Sequence, residues 1–382
     1  MTRREVAIVG VAESDFGDVP HLPILDMHAQ AATRALTDSG LEKRDIDGLF
    51  TCGGLSGLHS LELAEYLGLH PRYLDSTNVG GSSWENFVEH ALIALAAGRC
   101  NTALLVYAAT PKADVRRKLR GADLAASTRG ISQYEIPFGA TLITKYALAA
   151  QRHMYQYGTT SEQLAEIAVS TRKNALRNPR AYMREPIALT DVLQSKMVSE
   201  PLHLLDCCLR TDGGGAVIIT RAPQANACRQ PPVWVIGTGN AESHVSMSQW
   251  GDMTVSPAGR AAEAAFGEAG ITVRDVDVLE CYDSFTITVL MTLEAMGFCQ
   301  PGEGGAFVSG GRLAWDGALP TNTDGGGLSS NHPGMRGIFL LIEATRQLRG
   351  QSTAQVEDAR IAVCNGTGGF FSHCGTVVLA KD

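Results

Sequence analysis

The chain repeats itself, and this limits its possible folds more than any other feature. Ala31–Phe50 (AATRALTDSGLEKRDIDGLF) aligns with Ala261–Glu280 (AAEAAFGEAGITVRDVDVLE), with identity at eight of twenty positions. Gly40 meets Gly270, and Arg44/Arg274, Asp45/Asp275 and Asp47/Asp277 follow in register. Each copy reads as an amphipathic helix, a glycine stop, a polar turn and the start of a strand. A strand-like segment ending in glycine precedes each copy: VAIVGVAES in the first, VWVIGTGNAES in the second. The copies lie 230 residues apart, too far for a solenoid repeat and suited to two duplicated domains.

A weaker match continues the duplication. Asn78–Gly98 (NVGGSSWENFVEHALIALAAG) resembles Asn322–Gly350 (NTDGGGLSSNHPGMRGIFLLIEATRQLRG). Both are Gly-rich loops feeding a helix, and a strand follows each (ALLVYAA, ARIAVCN). The expected division is therefore 1–222 and 223–382, each half a βαβαβ-like unit with a Gly loop at a helix N-terminus. Such a terminus presents N–H groups and a partial positive charge to thioester oxygens or phosphates. The first half carries an insertion over about 111–199, with helices expected in TLITKYALAAQRHMYQYG and SEQLAEIAVSTRKNALRN. Its basic residues Lys112, Arg116, Arg117, Lys118 and Arg120 read either as a solvated face or as part of a lid over a large acyl substrate. Leu204–Ala222 (LLDCCLRTDGGGAVIITRA) reads as the strand closing the first half, with a tight bend at Asp212–Gly215.

Composition narrows the function. The 382 residues are 45% hydrophobic, enough for a large core. A net charge of −8 without a long basic run argues against nucleic acid or an anionic membrane surface as a partner. A few local Arg and Lys residues can still hold the phosphates of a CoA-type ligand. No run of 18 apolar residues appears, and MTRREVAIVGVAESDFG lacks the apolar core of a signal peptide. Nine scattered cysteines form no disulfide framework and suggest reduced thiols, hence a cytoplasmic protein. With no CxxC or HxxxH pair, a zinc site within the chain is not expected.

Four motifs in order carry a family resemblance: the Gly loop at Asn78, TDGGGAVIIT, CYDSFT, and the pair GGGLSSNHPGMRG and CNGTGG. Over its whole length the chain resembles the thiolase superfamily, most closely the lipid-transfer-protein branch related to the thiolase domain of sterol carrier protein x. The resemblance implies a five-layer αβαβα fold of two similar halves, usually a homodimer. It implies a coenzyme A thioester as substrate and no tightly bound cofactor. It also implies a separate partner protein with an OB-fold and a zinc ribbon, a module this chain lacks.

The departures from the family pattern are as informative. The thiolase nucleophile is a cysteine about seventeen residues before the glycine that ends its helix. Counting back from Gly98 gives Gly81, or Ser82 with a one-residue slip, and no cysteine lies within reach. Ser82 or Ser83 could replace it only with a base to take the proton. The plainer reading is that Gly80, Gly81, Ser82 and Ser83 shape the turn and cap the helix. His332 matches the histidine that binds the thioester oxygen or activates the nucleophile; otherwise it is a loop histidine satisfied by backbone. Cys364 falls near the second thiolase cysteine, which moves the substrate α-proton; otherwise it is a buried structural thiol. A thiol beside an imidazole can hold the lowered pKa such a base needs.

In CYDSFT, Tyr282 takes the place of the family's Asn or His, Asp283 that of its Glu, and Phe285 matches its Phe. A tyrosine here resembles the steroid side-chain aldolases of the branch, which cleave β-hydroxyacyl-CoA by a retro-aldol reaction. Those enzymes have a second tyrosine where this chain has His332. The reaction needs a base for the β-hydroxyl and donors for the enolate oxygen. The candidate catalytic set is therefore His332, Tyr282, Cys364 and Asp283. The candidate oxyanion and substrate loops are Gly80, Gly81, Ser82, Ser83, Gly326, Gly327 and Gly368. The alternative for Tyr282 is a pocket-wall aromatic with a hydrogen-bonded hydroxyl. Acyl transfer through Cys364 or a serine, and a non-catalytic acyl-CoA or lipid-binding scaffold, are the competing functions.

Overall fold

The structure, a computed structural model, describes residues 4–53, 57–117, 132–139 and 141–382. Lys118, Arg120 and the side chain of Arg117 lie outside the described residues. Among the described residues eleven strands form: β1 Val6–Glu13, β2 Gly48–Phe50, β3 Tyr73–Asp75, β4 Thr102–Ala109, β5 Met197–Ser199, β6 Leu202–His203, β7 Gly213–Arg221, β8 Val233–Glu242, β9 Val278–Cys281, β10 Ile361–Gly368 and β11 His373–Ala380. β5 and β6 make a small hairpin, and the other nine run in the order β3-β2-β4-β7-β1-β8-β11-β10-β9.

The order is two copies of one pattern. In the first half β2 and β4 are parallel, while β4–β7 and β7–β1 are antiparallel. In the second half β9 and β10 are parallel, while β10–β11 and β11–β8 are antiparallel. Beyond β2 lies β3 in parallel, and beyond β9 lies its counterpart, a parallel bridge between Leu279 and Thr321. Among the described residues the two sets of strands pair only through Ala7↔Trp234 and Ile8↔Val233.

The repeated residues do the same work in each half. Gly40 (φ 77°) and Gly270 (φ 66°) end their helices in the left-handed conformation, which favours glycine. Asp45 and Asp275 each accept from a backbone N–H three residues earlier, closing the turn. Asp47 accepts from the amides of Asn101 and Thr102, and Asp277 from those of Arg360 and Ile361. These shared residues thus fix the start of β4 and of β10.

Two helices, Ser83–Ala96 and Gly337–Arg349, lie between the halves of the sheet. The first packs on β4 and β7 from one half and on β8, β10 and β11 from the other. The second packs on β1 and β7 and on β9, β10 and β11. Both are buried around most of their circumference, as a helix between two sheets must be. Ile24–Ser39 covers β1, β4 and β7 from outside, and Ala258–Ala269 covers β8 and β11. The layers are therefore helix, sheet, helix, sheet, helix: the expected αβαβα arrangement.

In the insertion, helices Leu142–Tyr157 and Ser161–Ala175 form where the pattern predicts, the second with a capping box from Thr160 and Gln163. Lys112, half-buried, donates to the Tyr182 hydroxyl (2.7 Å), and the exposed Arg116 pairs with Asp18 (2.7 Å). The Leu204–Ala222 strand needs correcting. Strand geometry begins only at Gly213, and Leu204–Asp206 is a 3-10 turn. The glycines are strand members. A Cβ on Gly214 would stand 2.3 Å from the Tyr107 carbonyl oxygen, so glycine lets β4 approach closely.

The interior holds uncharged acids. Glu85, on the first central helix, is 1% exposed, and neither of its carboxyl oxygens has a hydrogen-bond partner among the described residues. Burial raises its pKa from 4.5 to about 8. Glu280 and Glu343, also buried, both meet the single hydroxyl of Thr323, at 2.9 and 2.7 Å. One hydroxyl proton satisfies one carboxylate, so the other contact calls for a protonated acid. Burial pushes the pKa of both upward, Glu343 to about 7.

For Glu85 the sign of the pH effect is fixed. As pH rises above 4.5 the unfolded chain ionises this group and the folded chain does not, so folding stability falls until about pH 8. Glu85→Gln removes that cost. Its urea midpoint is expected to match the native chain near pH 4 and to exceed it clearly at pH 8. A midpoint difference that does not change with pH would refute the assignment.

Candidate active site

Three loops meet where the halves face each other: the one before the Ser83–Ala96 helix, the one after β9, and the turn after β10. Their approach is backbone to backbone. A Cβ on Gly80 would stand 2.9 Å from the Gly369 nitrogen, and one on Gly368 only 1.7 Å from the Val79 carbonyl oxygen. Gly81 is the most telling. A Cβ there would stand 2.4 Å from Cε2 and 2.6 Å from Cζ of Tyr282. The phenol ring thus occupies the space into which a side chain at position 81 would grow. A cysteine at 81 and a tyrosine at 282 cannot share this backbone.

The Tyr282 hydroxyl lies 3.1 Å from Nε2 of His332. It accepts from the Arg336 amide (3.2 Å) and also reaches the Gly334 carbonyl (3.2 Å). The two rings meet edge to face, with centroids 5.6 Å apart. Having one hydrogen, the phenol gives it either to Gly334 or to His332. Burial pushes the phenol's pKa well above its ordinary value, so it stays protonated. Burial, with the Arg336 charge, lowers His332 to about 4, so its imidazole is neutral at pH 7. The His332 backbone is held by Thr211, whose Oγ1 accepts from its amide (2.9 Å) and whose amide donates to its carbonyl (3.3 Å). This is what Leu209–Thr211 does in place of strand pairing.

Asp283 does not face this pair. It is fully buried and accepts from the amides of Gly327 (2.7 Å) and Leu328 (3.0 Å). Arg336 Nε lies 3.4 Å away. Burial raises Asp283 to about 6, against the pull of Arg336 and these amides. Its place is that of a clamp on the second Gly loop. The oxyanion expectation for Gly326 and Gly327 is corrected with it. Gly326 donates to Asp324 (2.8 Å) and Gly327 to Asp283, so neither amide is free. Gly326–Ser330 forms a π turn, and the Gly337–Arg349 helix starts only seven residues after Ser330.

Cys364 lies in the middle of β10, fully buried. Burial, with Glu85 and Glu280 nearby, drives its thiol pKa well up, the opposite of what a thiolate base needs. Ser82 and Ser83 shape the turn as expected but do not cap the helix through their side chains. Ser83 Oγ instead accepts from the Val79 amide (3.0 Å) and donates to Gly80 (2.7 Å). Ser82 Oγ lies 2.8 Å from Nδ1 of His373, a partner 291 residues away. The Cys52 thiol is buried as well, and burial pushes it up to about 11. Arg336 could have been noticed in the sequence as a charge opening the apolar run GIFLLIE. His373 gave no such signal.

The chain is similar to known proteins over nearly its whole length. Residues 239–381 match the thiolase C-terminal domain-like family. The acetyl-CoA acetyltransferase of Methanothermobacter thermautotrophicus is 34% identical over 377 residues, covering 96% of this chain and 97% of that protein. The steroid side-chain-cleaving aldolase of Thermomonospora curvata is 33% identical over 382 residues, covering 95% of each. The solved Ltp2-ChsH2(DUF35) aldolase has a TM-score of 0.90 at 29% identity, covering 100% of this chain and 99% of that one. The chain belongs to the thiolase superfamily, among the proteins similar to the thiolase of sterol carrier protein 2.

Proposed function

We propose that this chain cleaves the Cα–Cβ bond of a β-hydroxyacyl-CoA by a retro-aldol reaction, without an acyl-enzyme. The observation that carries the reading is the Tyr282 hydroxyl, 3.1 Å from His332 Nε2, on a ring that fills the space beside Gly81. The β-hydroxyl proton passes to the Tyr282–His332 pair, and the Cα–Cβ electrons move onto the thioester as an enolate. The β-carbon departs as an aldehyde or ketone. The enolate carbon then takes up the proton, leaving a shortened acyl-CoA. The amide of Gly81, in the turn that leads into the Ser83–Ala96 helix, supports the enolate oxygen. Asp283 and Arg336 position the loop, and Cys364 is a core residue.

The similarity to a steroid side-chain-cleaving aldolase supports the reaction class. The Ltp2-ChsH2(DUF35) aldolase supports a separate partner protein, which we expect to carry the OB-fold and zinc ribbon. A homodimer of two-half chains, divided at 1–222 and 223–382, completes the reading. A second reading, acyl transfer through Ser82, is favoured by the 2.8 Å contact with His373.

Tyr282→Phe removes the hydroxyl and keeps the ring. It is expected to lower kcat for β-hydroxyacyl-CoA cleavage about 100-fold or more while the chain still folds, with a melting temperature lowered by a few degrees because the Arg336 amide loses its acceptor. The substrates to assay are β-hydroxyacyl-CoA thioesters, with candidate partner proteins added. Intact mass after incubation with acetoacetyl-CoA is expected to show no adduct. An acetyl adduct lost in Ser82→Ala would replace this reading with the second.

The pH profile makes a separate test. His332 accepts a proton only when neutral, so kcat/KM is expected to stay level down to about pH 5 and to fall as pH drops through about 4. An acid limb near 6.5 would instead assign the step to an unperturbed imidazole.

A further inference from the structure

Several arginines drawn into this protein's interior hold carboxylates, and Arg172 does not. Arg336 grips Asp324 with two bonds, Arg346 pairs with Glu13, and Arg349 pairs with Asp38. Arg172, on the Ser161–Ala175 helix, is 3% exposed and has no carboxylate. Its Nε donates to the Ser329 hydroxyl (2.8 Å) and its Nη1 to the Glu185 carbonyl (2.8 Å). Both acceptors are neutral, and Nη2 has no partner among the described residues. The Glu185 side chain is exposed and forms no ion pair with it. One residue on from Ser329, the buried Ser330 hydroxyl has no partner among the described residues.

Two more cations flank the same segment. Tyr182 and Met183 donate to the carbonyls of Ser330 and Ser329, and Leu209 and Thr211 to those of Gly327 and His332. These bonds bring Arg184 and Arg210 to either side of the Gly327–His332 segment. Both are exposed, and neither forms an ion pair among the described residues. In a chain of net charge −8, unpaired cations grouped at one loop are an attractor for anions. A buried guanidinium without a counter-charge is costly, and its planar fork fits a carboxylate or phosphate.

We propose that Arg172, with Arg184 and Arg210 at the rim, forms an oxyanion-binding subsite alongside the Tyr282–His332 pair. The oxyanion is a phosphate of coenzyme A or a carboxylate carried by the acyl group; these two sources rest on the acyl-CoA reading above. In the first case the subsite anchors every substrate, and in the second it selects acidic acyl chains.

Titration calorimetry on the full chain tests this with pyrophosphate, coenzyme A, butyryl-CoA and succinyl-CoA; the last two differ by a terminal carboxylate. Neither thioester has a β-hydroxyl, so retro-aldol cleavage consumes neither. Arg172→Met is expected to weaken binding about tenfold or more, the loss of a charged hydrogen bond, at an unchanged or higher melting temperature. Weaker pyrophosphate and coenzyme A binding assigns the phosphate. Loss of a preference for succinyl-CoA over butyryl-CoA, with coenzyme A unaffected, assigns the carboxylate. If Arg172→Met fails to fold, the surface double variant Arg184→Ala/Arg210→Ala decides: at least threefold weaker pyrophosphate or succinyl-CoA binding supports the subsite, and unchanged affinity overturns it. Equal affinities for all four ligands in native and Arg172→Met protein also overturn it. Pyrophosphate binding without coenzyme A binding keeps the subsite and sinks the acyl-CoA reading. Affinities for coenzyme A, pyrophosphate and succinyl-CoA that no variant changes do the reverse.

Discussion

The candidate site depends on a buried ionic set centred on Arg336. The guanidinium is fully buried and grips Asp324 at 2.6 and 2.7 Å, while Nη1 donates to the carbonyl and side chain of Asn331. The same residue's amide holds the Tyr282 hydroxyl. Asp283, beside it, fixes the Gly327–Leu328 amides from the other flank. His332 is therefore set between two anchored points, Asn331 and Arg336. Replacing such a set with apolar groups is often tolerable, whereas removing one partner strands the others in a dry interior. The set supplies geometry as well as stability.

Glycine contacts impose the second constraint. The loops from the two halves touch at Gly80, Gly81, Gly368 and Gly369, so side-chain volume is excluded from the floor of the site. Volume removed at 81 is volume given to the ring at 282. The missing nucleophile and the added tyrosine are thus one steric exchange across the interface between halves. In the reaction proposed above, that exchange leaves a phenol oxygen and an imidazole nitrogen as the reactive atoms.

Much of this was legible in the sequence. The Asp45/Asp275 and Asp47/Asp277 identities pointed to duplicated turns because those carboxylates satisfy the same backbone groups in both halves. Tyr282 and His332 could be named from their motifs. The role of Asp283 could not, because motif position does not say whether a carboxylate faces the substrate or a neighbouring loop. The Leu204–Ala222 segment was misread because three glycines look like a turn, whereas here they let two strands approach. Ser82–His373 and Arg172 were out of reach for another reason. The first pair is joined only by folding, and the second is notable for a carboxylate that is missing around it, which local sequence cannot display.

The interior acids have a thermodynamic consequence. The sequence charge of −8 counts every carboxylate as ionised. In the folded chain Glu85 keeps its proton at neutral pH, and the Glu280–Thr323–Glu343 contact holds another. The native molecule is accordingly less anionic than its formula. Unfolding at pH 7 releases these protons to the medium, so the heat absorbed on melting contains the ionisation enthalpy of whatever buffer receives them.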